Sequence, residues 1–137
     1  MKEPSEKRKR TLALHDRALQ FTNAVNMACP QHFTNRPSAT AWGQLVRAAD
    51  GTSNNLIEAD GASSDADFLS KMGIALREAK ESRAELAKIR MGHLDHCHIT
   101  DARGLESEAS QLSAIFASII LNMRRRLDRE KKGRNSH

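Results

Sequence analysis

Tyrosine is absent from this chain of 137 residues, tryptophan occurs once and phenylalanine four times. The aromatic side chains that suit pleated sheets are thus scarce. Alanine, leucine, isoleucine and methionine take their place and favour helix interiors, so no strand is expected anywhere. Cysteine is nearly absent as well. Cys29 and Cys97 stand far apart, which argues against a disulfide framework and for reduced thiols. No run approaches the roughly 20 apolar residues that span a bilayer. The opening MKEPSEKRKR carries charge without the apolar stretch of an export signal, so a cytoplasmic location and no membrane partner are expected.

What is present is helical periodicity. Leu14, Ala18, Phe21, Val25 and Ala28 recur at spacings of four and three, one face of a first helix over about 12–28. Pro30 closes it, and Ser38 or Thr40 is available to cap a second helix over about 40–59. Its core face is Trp42, Leu45, Ala49, Thr52 and Leu56. The turn DGASSD follows, with Ser64 and Asp67 as a capping pair for a third helix over 65–92, stopped by Gly92. A fourth over about 101–127, opened by Thr100 or Asp101, has the clearest stripe: Leu112, Ile115, Phe116, Ile119, Ile120, Met123 and Leu127. Residues 1–11 read as a basic disordered head and 128–137 as a basic tail. Four amphipathic helices with short connections pack most simply as an antiparallel up-and-down bundle, one all-α domain.

The net charge of +5 is unevenly distributed. Residues 1–10 hold five Lys/Arg against two Glu, and residues 124–134 hold seven against two acids. The body between them is mildly acidic. Lys7, Arg8, Lys9 and Arg10 precede the first helix, while Arg124, Arg125, Arg126, Arg129, Lys131 and Lys132 extend the last. An up-and-down bundle brings both termini to one end, where their fields add and attract a polyanion by counterion release. No aromatic residue is interleaved to stack bases, so binding of RNA or DNA with little sequence preference is expected.

A second pattern lies off the core faces. Arg47, Gly51, Asn54 and Glu58 share a stripe nearly opposite the core side of the second helix. Ile74 and Glu81 lie together off the core of the third, and Leu121, flanked by Ala114 and Ala117, lies opposite the core of the fourth. A solvated face with local ion pairs explains the charges alone. Apolar residues on outer faces point instead to a second contact surface between copies of the chain.

The segment QLVRAADGTSNNLIE, Gln44 to Glu58, resembles a signature of the bacterial four-helix bundle proteins associated with 23S rRNA intervening sequences, approximately Q-x-x-R-A-A-x-S-I-x-x-N-I-A-E-G. Gln44, Arg47, Ala48, Ala49, Asn55 and Glu58 match it. Asp67, Phe68, Ile74, Ala75 and Glu81 match a second pattern of that family, D-F-x-x-x-L-x-I-A-x-G-S-x-x-E-L. Gly51 stands where the family has Ser, Ala59 where it usually has Gly, and Arg77 and Glu78 replace a Gly-Ser pair. The resemblance implies a homopentamer of antiparallel bundles. It extends more distantly to accessory proteins of diversity-generating retroelements, which bind nucleic acid and a reverse transcriptase, so a nucleic-acid-processing protein is an expected partner. It implies no catalytic reaction.

Direct signs of chemistry are weak. His93, Asp95, His96, Cys97 and His98 are metal-ligand types, but their spacing matches no closed zinc site, and neither metal nor cofactor is expected. Cys97 with those histidines, or Cys29 with His32, lacks any recognisable nucleophile context. No Gly-rich phosphate loop, H-E-x-x-H motif or paired-carboxylate arrangement occurs. The sequence therefore points to a non-enzymatic, self-associating, polyanion-binding bundle. The alternative is a structural or protein-interaction scaffold whose basic ends meet an acidic protein.

Overall fold

The computed structural model describes residues 2–96 and 102–135. They form four helices, α1 (Glu6–Ala28), α2 (Arg36–Asp60), α3 (Asp65–Met91) and α4 (Ala102–Asn135), with no strand among the described residues. Contacts between neighbours run in opposite senses. In α1 and α2, Arg8 meets Asp60 while Thr22 meets Ala49 and Ser53. Lys71 meets Glu58 across α2 and α3, and in α3 and α4 Asp65 meets Arg126 while Arg90 meets Glu106. Finally, Arg17 of α1 holds Glu108 of α4. The helices therefore alternate up and down.

Trp42, Leu45, Met72, Leu86, Ile89, Leu112 and Phe116 are fully buried where the four apolar faces meet. Each contributes roughly 1.5–3 kcal/mol before conformational entropy is subtracted. Of the stripe residues named from the sequence, Leu14 on α1 and Ile115, Ile119, Met123 and Leu127 on α4 remain partly exposed. The α1–α2 contact includes buried hydroxyls. Thr22 donates to the carbonyl of Ala49 at 2.7 Å and shares a hydrogen bond with Ser53 at 2.8 Å, so buried polar groups are satisfied across the interface.

Helix boundaries depart from the sequence expectation at three places. α1 begins at Glu6, so residues 6–11 are helical, because Ser5 accepts a bond from the Arg8 amide at 3.0 Å and caps the helix. α2 begins at Arg36, capped by Asn35 rather than by Ser38 or Thr40. Pro37 sits inside its first turn, where a fixed φ and a missing N–H cost nothing. α4 runs on to Asn135, so the described part of the basic tail is helical. Arg129 to Lys132 and Arg134 are good helix formers, and cations near a helix C-terminus interact favourably with the macrodipole. The Ser64 cap of α3 is as expected, with the Asp67 amide 3.0 Å from its hydroxyl.

At its other end α3 closes with Leu94 N–H bonded to Ile89 O at 3.0 Å and His93 N–H to Arg90 O at 3.4 Å. This is a Schellman arrangement in which His93 takes the left-handed conformation, φ 51°. Gly92 is needed for a different reason, since a Cβ there would lie 2.9 Å from the Lys88 carbonyl oxygen. The chain then turns back against α2. Trp42 donates its indole N–H to the Asp95 carbonyl at 2.6 Å, and Ser38 accepts the Asp95 amide at 2.9 Å.

Candidate nucleic-acid interface

The N-terminal turns of α1 and the C-terminal turns of α4 lie at the same end of the bundle, joined through the α2–α3 turn. Arg8 forks onto Asp60 at 2.6 and 2.7 Å, and Arg126 reaches Asp65 at 3.4 Å. These two arginines, placed by sequence with the polyanion-binding set, are thus held by carboxylates of the bundle. Lys9 is shared between Glu3 and Glu6 at 3.4 Å. Lys7, Arg10, Arg124, Arg125, Arg129, Lys131 and Lys132 are exposed. None of these seven forms an ion pair among the described residues.

Length explains why α4 presents so much charge. Its 34 residues span roughly 51 Å, against roughly 40 Å for the 27 of α3. Ile120 is its last buried side chain, and every described residue beyond Leu127 is exposed. The helix therefore projects past the core as a basic spur. Arg125, Arg129 and Lys132 are spaced four and three apart, which puts them on one side of it.

The outward stripe of α2 meets α3 in a groove of about 610 Å³ lined by Gln44, Arg47, Gly51, Glu78, Glu81 and Lys88, among others. Arg47 and Glu81, singled out in the sequence, are brought together there; both are exposed, as is Asn54. Glu58 pairs with Lys71 at 3.2 Å, while Asn55 donates to the Gly51 carbonyl of its own helix at 2.9 Å. Ile74 is half-buried and Leu121 is exposed on α4.

Glu78, marked in the sequence only as a departure from the family pattern, lines the groove as well. A Cβ on Gly51 would come 2.8 Å from its Cγ, so the glycine makes room for the carboxylate to cross α2. The two departures from the family pattern, Gly for Ser at 51 and Glu for Ser at 78, are thus one contact. Burial raises the Glu78 carboxyl above its ordinary value, and the Glu81 carboxylate beside it raises it further; Arg77 and Arg47 oppose the shift.

The groove and the surrounding helices lie within residues 10–118, which match the model of the 23S rRNA-intervening sequence protein family. The chain belongs to that family. A crystal structure of a protein of unknown function from the S23 ribosomal protein family of Bacteroides thetaiotaomicron has the same fold. The TM-score is 0.64 at 24% identity, covering 80% of this chain and 96% of that one. No curated protein matches the chain. Apart from Arg10, the basic ends fall outside the matched residues.

Among the described residues, no three His, Cys, Asp or Glu side chains are gathered where they could hold a metal ion. His93 and His96 are exposed, and the Asp95 carboxylate accepts from the Thr34 amide and hydroxyl at 2.6 and 2.8 Å. Cys97, His98, Thr100 and Asp101 lie outside the described residues. Cys29 is half-buried and approaches the Pro30 carbonyl at 3.6 Å, while His32 is exposed. No helix of the described residues is long and apolar enough to cross a membrane.

Proposed function

We propose that this chain is a non-enzymatic bundle that assembles into a homopentamer and binds RNA or DNA through its basic end, with little sequence preference. The observation that carries the reading is the convergence of the first turn of α1 and the projecting turns of α4 on one end of the bundle. The unpaired cations are exposed there and can follow a phosphate backbone. A nucleic-acid-processing protein would be a second partner, with the spur holding the nucleic acid.

The spacing along the spur supports contact with phosphates rather than bases. Arg125 to Lys132 spans about 10 Å of helix axis, and no aromatic side chain stands beside them to stack a base. Assembly would multiply the charge and supply avidity. The outer surface for it would combine the α2–α3 groove, with Arg47 and Glu81, and Leu121 on α4.

Fluorescence anisotropy with a labelled duplex tests the reading. Affinity should fall steeply as salt rises from about 50 to about 200 mM. The slope of log K against log salt should shrink by about 2 to 3 when Arg125, Arg129 and Lys132 are changed to Gln. Absence of binding at low salt, or an unchanged slope, would reject it. Salt-sensitive capture of an acidic protein without nucleic acid would favour the scaffold reading.

A further inference from the structure

Between the basic end and the core, the four helices leave a cavity of about 330 Å³. Its wall is largely apolar: Leu14 from α1, Leu56 from α2, Phe68 and Met72 from α3, Ile119 and Met123 from α4. Small-molecule sites begin at about this size and combine such walls with a few polar groups. Two polar groups here have no structural task.

The first is His15. Its side chain lines the cavity and is only 9% exposed, yet its ring nitrogens bond no described residue. No buried side-chain nitrogen or oxygen among the described residues lacks a partner, so the ring nitrogens reach solvent and are open to a ligand. An imidazole offers one donor and one acceptor in its neutral form. The second is Lys7 at the cavity mouth, which forms no ion pair among the described residues. Asp60 also lines the mouth, but the two bonds from Arg8 neutralise it. An uncompensated positive charge is left over an apolar interior.

We infer that this cavity binds a small amphipathic anion, an aliphatic carboxylate of medium length, with its chain among Leu56, Met72 and Ile119 and its head group between His15 and Lys7. The apolar wall selects the chain, His15 supplies a hydrogen bond inside the cavity, and Lys7 supplies the sign of charge. A cationic amphiphile meets Lys7 with the wrong charge. A short carboxylate leaves the wall unfilled. The site is independent of the groove between α2 and α3 and of the α4 spur.

Isothermal titration with decanoate, with acetate and decyltrimethylammonium as controls, tests this on the full chain. Labelled methionine methyls report location, because Met72 and Met123 line the cavity whereas Met27 and Met91 are exposed elsewhere. Decanoate should bind saturably, one per chain, shifting Met72 and Met123 but not Met27 or Met91. Its affinity should exceed that of decyltrimethylammonium by about tenfold or more, and Lys7→Glu should remove most of that preference. Thr11→Trp should fill the mouth and abolish binding. If that variant does not fold, His15→Phe decides, with an affinity loss of about tenfold expected. Lack of saturable binding, equal affinity for the two head groups, or shifts confined to Met27 and Met91 would overturn the inference. Undiminished affinity in a folded Thr11→Trp or His15→Phe variant would do the same.

Discussion

Gly51 and Glu78 face each other across α2 and α3, and neither makes sense alone. A glycine inside a helix costs about 0.5–1 kcal/mol relative to alanine, and burial with Glu81 alongside disfavours the charged form of the Glu78 carboxyl. A double-mutant cycle read by urea unfolding should expose the link. Gly51→Ala should stabilise by about 0.5–1 kcal/mol in a Glu78→Ala background and give little or no gain with Glu78 present; additivity within about 0.3 kcal/mol would show the contact to be incidental. Glu78→Gln should itself raise stability at neutral pH. A carboxyl whose folded value is raised binds protons more readily folded than unfolded, so its charge opposes folding as pH rises through that value. Asp95 has the opposite sign. Bonds from the Thr34 amide and hydroxyl hold its carboxyl below the ordinary 3.8. Its contribution is complete above that value and is lost as pH falls through the lowered one. Between about pH 5 and about pH 2 the melting temperature of the wild type should therefore fall more steeply than that of Asp95→Asn; parallel curves would show that the Thr34 bonds to Asp95 contribute nothing.

At the scale of the helix, α4 has two parts with different obligations. Up to Ile120 its stripe is buried or partly buried against the core, and Leu112 and Phe116 have no exposed surface at all. Beyond Leu127 nothing packs against it among the described residues, and every described side chain is exposed. Removing residues 128–137 should therefore change the unfolding free energy by no more than about 0.5 kcal/mol, while Phe116→Ala should cost about 3–5 kcal/mol. Chemical denaturation of the two variants checks both. A large loss on truncation would mean that the spur packs against something, most simply another copy of the chain. This division also determines how the basic end is best probed. Arg8 and Arg126 tie α1 and α4 to the α2–α3 turn, so deleting residues 1–10 would disturb the bundle. Neutralising Arg125, Arg129 and Lys132 would not.

On the scale of the whole molecule, the outer face carries both apolar and charged side chains open to solvent. Leu121 is 47% exposed on α4, and Arg47 with Glu81 lies in a groove open to solvent. In a lone chain these positions tolerate substitution, whereas in an assembly they would be covered. Leu121→Glu should reduce the solution mass measured by light scattering to that of one chain without lowering helicity. An unchanged oligomeric mass would exclude this face from the interface.

The helices, their apolar faces and their antiparallel order were legible in the sequence because periodicity of three and four dictates a buried stripe. Family membership was legible because Gln44–Glu58 and Asp67–Glu81 keep their spacing along two helices. Helix ends were less so. Charges near a terminus look like a solvated tail, yet Ser5 and the run of helix formers Arg129 to Lys132 extend α1 and α4 through them. The positions of the basic residues were plain, but the neutralisation of Arg8 and Arg126 depended on Asp60 and Asp65 at a turn distant in the chain. Likewise, no one-dimensional pattern pairs Gly51 with Glu78 or leaves His15 unpartnered over a cavity. Local spacing determined which face each helix buries. The packing of four such faces decided where charge remains uncompensated and where space remains unfilled, because both depend on residues that meet only once the chain has folded.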